Sequence, residues 1–334
     1  MTLGNLMPFC QLNRRAVIAA LGGAAAWPLV ALAQQEPKVW RIGILETISA
    51  DLNAANLSAF QQSMRHLGCV EGQNLVIEYR SADGNARRFP GLVAELIRLN
   101  VDLIVTRGTP AALAAKEATS TIPVVMAASG GPLLVVKSLA RPGGNVTGRS
   151  GLTPDLERKR VELLTELVPA LASIATVMNM SNPVSLSFLE EFEPAARSKG
   201  LRHRLFDVRQ GDDVRRAFDA MNREHEAIMV DMDAVTQAHR EMIVELAARY
   251  RLPAMYAARE FVDAGGLISY GVNYPDLYRG AAIYADKILK GAKPGDLPVE
   301  QPTRFEFVVN LKAAKALGLT IPVSFQLRAD ELIE

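Results

Sequence analysis

Residues 101–126 read VDLIVTRGTPAALAAKEATSTIPVVM, and their pattern decides the fold class. Val101-Asp102-Leu103-Ile104-Val105 is a short β-rich run, Ala111 to Ala118 is built from strong helix formers, and Ile122-Pro123-Val124-Val125-Met126 is β-rich again. Between the first run and the helix, Gly108 permits close backbone approach, Thr109 has the chemistry of a helix N-cap and Pro110 suits the first helical position. Strand, helix and strand in this order is the repeating unit of a parallel α/β sheet.

The alternation continues in both directions. Upstream, Val39 to Leu45 and Leu75 to Tyr79 read as strands. Asn56 to Leu67 reads as a helix with Leu57, Phe60, Met64 and Leu67 on one face, and Arg88 to Leu99 as another. A turn at Arg141-Pro142-Gly143-Gly144-Asn145 leads into Val146-Thr147-Gly148, and the plan then begins again. Glu157 to Leu167, Ser185 to Lys199 and Val214 to Met221 read as helices; Ile174 to Met178, Arg202 to Phe206 and Ala227 to Val230 read as strands. After Asp231-Met232-Asp233 comes a helix with Met242, Ile243 and Leu246 on one face, then Leu252-Pro253-Ala254-Met255-Tyr256, which echoes the Ile-Pro start of the earlier strand. Internal similarity of this kind predicts an α/β fold of two doubly wound parallel-sheet lobes joined by a hinge.

The tail is more complex. Gly265 to Gly271 is followed by a helix, Leu277 to Leu289, a Gly/Pro-rich link, Gly291 to Pro302, a strand, Phe305 to Asn310, and a helix, Leu311 to Leu317. Two links this late suit a chain that crosses back to the first lobe and then returns. The first lobe is therefore expected at residues 38–147 plus about 272–298, and the second at 148–271 plus about 300–325, with ligand held between them.

Ahead of this body, Arg14-Arg15 precedes an uncharged, Ala-rich run from Ala16 to Val30 and Ala31-Leu32-Ala33, a small-x-small site for a signal peptidase. Residues 1–33 resemble a twin-arginine leader cut after Ala33, which predicts export to the periplasm. A retained membrane anchor is the alternative; the run is short for the ~20 strongly apolar residues of a span, and Gly22, Gly23 and Pro28 weaken it. Cys10 lies before the apolar run, whereas a lipid-attachment cysteine would follow it. Cleavage removes two arginines and no acid, turning the formal charge of +1 into −1. No strong field then remains to attract nucleic acid or an anionic membrane, so neither partner is expected, nor stable membrane insertion after processing. Only Cys69 survives cleavage, which leaves no internal disulfide. His66, His203, His225 and His239 lack metal-ligand spacing, so no metal is expected.

In open parallel sheets ligands gather at the carboxyl ends of the strands. Candidate ligand contacts in the first lobe are Glu46 and Thr47, then Gly108, Thr109, Pro110 and Ala111, where free N–H groups at a helix start suit a carboxylate, and Ser129-Gly130. In the second lobe they are Asn179, Ser181 and Asn182, then Asp231 and Asp233, one of which is expected to face an ammonium or hydroxyl, and Glu260. Tyr270 is a candidate aromatic wall. A helix cap for Thr109 and solvated or capping carboxylates for the two aspartates are the structural alternatives. The chain contains no Gly-x-Ser-x-Gly elbow, no phosphate loop, no His-Glu-x-x-His and no Gly-x-Gly-x-x-Gly after its first strand, so neither a cofactor nor a catalytic set is expected.

These residues resemble a known family. Val70-Glu71-Gly72-Gln73-Asn74, Gly108-Thr109-Pro110-Ala111-Ala112, Leu139 to Gly148, Arg259-Glu260-Phe261-Val262, Ser269-Tyr270-Gly271 and Lys315 to Pro322 are similar to the ABC-transporter substrate-binding protein family of tryptophan/tyrosine type. The resemblance covers essentially the whole chain, leader included. It implies a type I periplasmic binding fold, two lobes with three crossovers that close on a small molecule, and delivery of that ligand to an inner-membrane ABC permease. It also implies a ligand carboxylate at Thr109, Pro110 and Ala111. Relatives commonly carry Asp-Pro where this chain has Gly131-Pro132, so an amino acid and a carboxylate lacking an amine are both open ligands. A ligand-sensing domain for a membrane receptor and an exported hydrolase using Asp231, Asp233 or Glu260 are the rival functions. A repressor of the same fold would need a DNA-binding helical module where the leader stands.

Overall fold

The computed structural model describes residues 38–151, 156–221 and 227–334. The leader, its cleavage site and His225 lie outside the described residues.

The first sheet contains β1 (Trp40–Glu46), β2 (Leu75–Ser81), β3 (Leu103–Arg107), β4 (Val124–Ser129) and β5 (Val146–Ser150), in the order β2-β1-β3-β4-β5. All its pairings are parallel. β3 and β4 are buried along their whole length because helices cover both faces, which is why they read as nearly continuous apolar runs. On one face Ile42, Ile44, Leu103 and Val105 pack with Phe60 and Met64 of α1 (Ala54–His66). On the other, Leu45, Ile104, Val124 and Met126 meet Phe89, Leu92, Val93 and Leu96 of α2 (Phe89–Arg98) and Ala111, Ala112 and Ala115 of α3 (Thr109–Ala118).

The second sheet contains β6 (Ser173–Met178), β7 (Arg202–Asp207), β8 (Ala227–Val230), β9 (Ala254–Tyr256), β10 (Ile268–Gly271), β11 (Glu306–Asn310) and β12 (Glu331–Ile333). Its order is β12-β11-β10-β9-β8-β6-β7, and only the β10/β11 pairing is antiparallel. The echo between the two lobes is a structural equivalence. Pro123 accepts from the Ile104 N–H at 2.9 Å, and Pro253 accepts from the Ile228 N–H at the same distance. Proline cannot donate to a ladder, but its carbonyl can start one, so both strands begin one residue later, at Val124 and Ala254.

The chain passes between the sheets three times. The first passage follows Ser150, because β5 continues to that residue on the first sheet, beyond the expected boundary at residue 147. The second follows β10. The next helix, Tyr274–Leu289, places Tyr278, Ala281, Ala282 and Ala285 against the first-lobe core. It starts earlier than its apolar periodicity suggests, because Asn273 caps it by accepting the Asp276 N–H at 2.9 Å. Glu300 then lies along β5, donating to Gly148 and accepting from Ser150, before the third passage leads to β11. The second sheet ends with β12, past the expected limit near residue 325. No helix among the described residues is long and apolar enough to cross a membrane.

Phe60 is fully buried between the first sheet and the Tyr274–Leu289 helix, so it joins two distant chain segments. Phe60→Ala is expected to cost about 3–5 kcal/mol through lost burial and the cavity left behind, read by urea unfolding. A cost below about 1 kcal/mol would place that ring outside the core.

Candidate functional site

A cavity of about 780 Å³, its open mouth included, lies at the carboxyl ends of both sheets. Its first-lobe wall starts where β3 ends at Arg107. Gly108, at φ 83°, turns the chain into α3 and occupies the N-cap position, where no side chain caps the helix. Thr109 is therefore the first helical residue and not the cap. Its hydroxyl lies 2.9 Å from Ser129 Oγ and accepts the Gly131 N–H at 2.9 Å, which ties the loop after β4 to the helix start. Thr109 and Pro110 line the cavity at the positive end of the ten-residue α3. An uncapped helix start facing a cavity favours an anionic ligand group there.

In the second lobe the two aspartates after β8 have opposite environments. Asp233 caps the short helix Ala234–Ala238, accepting the Val235 N–H at 2.8 Å. Its carboxylate also accepts from Asn179 Nδ2 at 3.0 Å and from Asn182 Nδ2 at 2.9 Å. Asp231 accepts only the Met232 N–H through Oδ1, at 2.7 Å. Its Oδ2 is buried and has no hydrogen-bond partner among the described residues. Burial pushes the Asp231 carboxyl well above the usual carboxylate range, aided by the charge of Glu157 and opposed by that of Arg160. Arg160 is already engaged: it pairs with Glu157 and donates to the carbonyls of Tyr270 at 2.7 Å and Ala257 at 3.3 Å. Among the described residues, Asp231 is thus the acid in the cavity with a carboxyl oxygen left unpaired.

Arg107 lines the cavity with its side chain almost wholly buried, and its charge is also offset. It donates to Asn53 Oδ1 at 3.0 Å, lies 4.4 Å from the centre of the Tyr274 ring and reaches Glu260 of the second lobe at 3.5 Å. Behind it, Glu46 accepts from the Tyr278 hydroxyl and the Thr47 N–H. Burial pushes the Glu46 carboxyl up to about 7, against the opposing pull of the Arg107 charge.

Of the sequence candidates, Thr47, Gly108, Thr109, Pro110, Gly130, Asn182, Asp231 and Asp233 line the cavity. Ser129 and Glu46 lie buried behind that wall and act through Thr109 and Arg107. Ala111 points instead into the first-lobe core, because its place in the first turn of α3 turns its methyl to the sheet. Asn179 and Ser181 line an adjoining recess with Pro110 and Asn182, and Glu260 is held by Arg107. Tyr270 is not the aromatic wall: it shares a face of β10 with Ile268, and its ring packs 6.0 Å from Phe305 and 6.3 Å from Phe307. The aromatic lining comes from Phe89, Phe188 and Tyr274, which sequence reasoning missed along with Arg107 and Arg160. Four of these five sit in helices, where an apolar or basic residue at helical spacing has no distinguishing mark. Arg107, one position before Gly108, was readable as a strand-end residue.

Glu46 keeps its proton in the folded protein up to about pH 7, whereas an exposed glutamate releases it near pH 4.5. The folded chain binds more protons across that window, so this stabilising contribution is full below about pH 4.5 and is lost as pH rises through about 7. Urea unfolding at pH 5 and pH 8 should show the wild type losing more stability over that rise than Glu46→Gln, by at most about 1.4 kcal/mol per pH unit. Equal losses in the two proteins would contradict the assignment.

Comparison with known proteins agrees with this geometry. Residues 41–333 match the family model for ABC transporter substrate binding proteins. The tyrosine-binding protein of Clostridioides difficile (strain R20291) is 26% identical over 281 residues, covering 83% of this chain and 81% of the relative. A Streptococcus pneumoniae ABC domain solved in complex with L-Trp is 30% identical, with a TM-score of 0.82 over 89% of this chain and 100% of that one. A conserved domain protein of Vibrio cholerae is 29% identical, with a TM-score of 0.83 over 88% of this chain and 100% of that one. With nearly the whole folded body matched and a cavity lined from both of its sheets, the chain belongs to the family of ABC transporter substrate binding proteins.

Proposed function

We propose that the protein is exported, captures an aromatic amino acid between its lobes and delivers it to an inner-membrane ABC permease. The observation that carries the ligand class is the buried Oδ2 of Asp231, which has no hydrogen-bond partner among the described residues and so offers an open acceptor to a donor brought by a ligand. An α-ammonium supplies that donor, the uncapped start of α3 suits the α-carboxylate, and Phe89, Phe188 and Tyr274 offer an apolar surface to the side chain. Asp231 thus supplies an acid for the amine although Gly131 cannot. The relatives with bound L-Trp and with tyrosine in their name support the same class. Export rests on Arg14-Arg15, the apolar run and Ala31-Leu32-Ala33. Closure would follow from the ligand touching both lobes, since a ligand shifts the equilibrium only by its differential affinity for the closed state.

Calorimetric titration of the leaderless protein with L-tryptophan and L-tyrosine tests this reading. Replacing the acid, Asp231→Asn, is expected to weaken binding about 10- to 100-fold, the loss of one hydrogen bond to a charged group. Because burial raises the Asp231 carboxyl and a bound ammonium favours its ionised form, wild-type affinity should rise with pH through that raised value, and the variant should lack this rise. Unchanged affinity in Asp231→Asn would remove the amine from the account. Failure of both amino acids to bind wild type would remove the ligand class.

A further inference from the structure

We infer that Gly131 is a positioning residue for ligand capture: by lacking a side chain it lets Val184 and Phe188 of the second lobe seat against the first lobe and complete the cavity wall. The inference rests on the capture reading above. A Cβ built on Gly131 would lie 2.4 Å from Val184 Cγ1, across the seam between the lobes, and 3.0 Å from Leu134 Cδ1 of its own lobe. The first distance is one that real Cβ atoms do not show. Val184 cannot easily yield, because it is buried and a β-branched side chain is stiff at χ1.

Backbone conformation does not explain the glycine. Gly131 sits at φ −129°, which other residues adopt. What the position requires is room for Val184. Its neighbour Gly130 is held in the same seam, its own Cβ position 3.5 Å from Val184 and 3.7 Å from the Phe188 ring, and Gly130, Val184 and Phe188 all line the cavity. Gly131 itself is outside the lining, so a methyl there acts on closure and not on the ligand directly. Thr109 fixes the loop by accepting the Gly131 N–H, so the first-lobe half of the seam does not withdraw.

A second rim has the same construction. A Cβ on Gly84 of the first lobe would lie 2.9 Å from Ala238 Cβ and 3.4 Å from the Ala234 carbonyl of the second. Gly84 is at φ +80°, so its backbone also favours glycine, and Gly131 is the cleaner probe.

The test is a double-mutant cycle on Gly131→Ala and Val184→Ala, with L-tryptophan binding and dissociation followed by stopped-flow fluorescence and the melting temperature of each ligand-free protein measured alongside. The expected result is an affinity loss of at least tenfold in Gly131→Ala, carried by faster dissociation, with the ligand-free melting temperature unchanged. In the Val184→Ala background, where the clashing methyl is gone, the added loss should fall to threefold or less. No loss in Gly131→Ala, an equal loss in both backgrounds, or a loss matched by a drop in ligand-free melting temperature would overturn the inference while leaving the capture reading intact. Absence of binding by the wild type would instead overturn both.

Discussion

A buried carboxyl oxygen with no partner among the described residues is the constraint on which the proposed ligand site turns. Among the described residues, Asp231 accepts one backbone N–H and its Oδ2 finds no partner. Leaving such a group unpaired costs several kcal/mol, and natural folds seldom keep one without a use. The cost is relieved either by a proton, which fits the upward displacement of the Asp231 carboxyl, or by a cation brought in with a ligand.

The other charges around the cavity are arranged so that this one stands out. Arg160 is consumed by Glu157 and two carbonyls, and Asp233 by Asn179, Asn182 and the start of a short helix. Arg107 is shared between Asn53, Tyr274 and Glu260, with Glu46 behind it. What remains for a ligand is the helix start of α3 on one lobe and the open Asp231 carboxyl oxygen on the other. Under the proposed function a zwitterion would bridge both lobes, so that recognition and closure would be one event. This is how a substrate-binding protein can report occupancy through its shape.

The fold was largely legible in the sequence, and the cavity partly so. Strand ends are visible because hydrophobic period breaks there, and residues such as Thr109, Asn182 and Asp231 fall on those breaks. The Ile122-Pro123 and Leu252-Pro253 echo proved to be one device used twice, a proline carbonyl opening a parallel strand. Hidden from sequence was the division of labour between Asp231 and Asp233, two residues apart with identical chemistry, because it depends on the amides of Asn179 and Asn182 some fifty positions away. Tyr270 misleads for a related reason: the antiparallel neighbour β11 brings Phe307 beside it, a pairing no local pattern announces. Phe89, Phe188 and Tyr274 read as ordinary helix residues until the lobes are seen face to face.

Recognition of both charged ends of an aromatic amino acid is tested by titrating the wild-type protein with L-tryptophan, indole-3-propionate and tryptamine under one set of conditions. L-tryptophan should bind at least tenfold more tightly than either analogue, since each lacks one of the two charged groups that the proposed site would hold. Indole-3-propionate binding as tightly as L-tryptophan would contradict it, because Asp231 would then have no cation to meet.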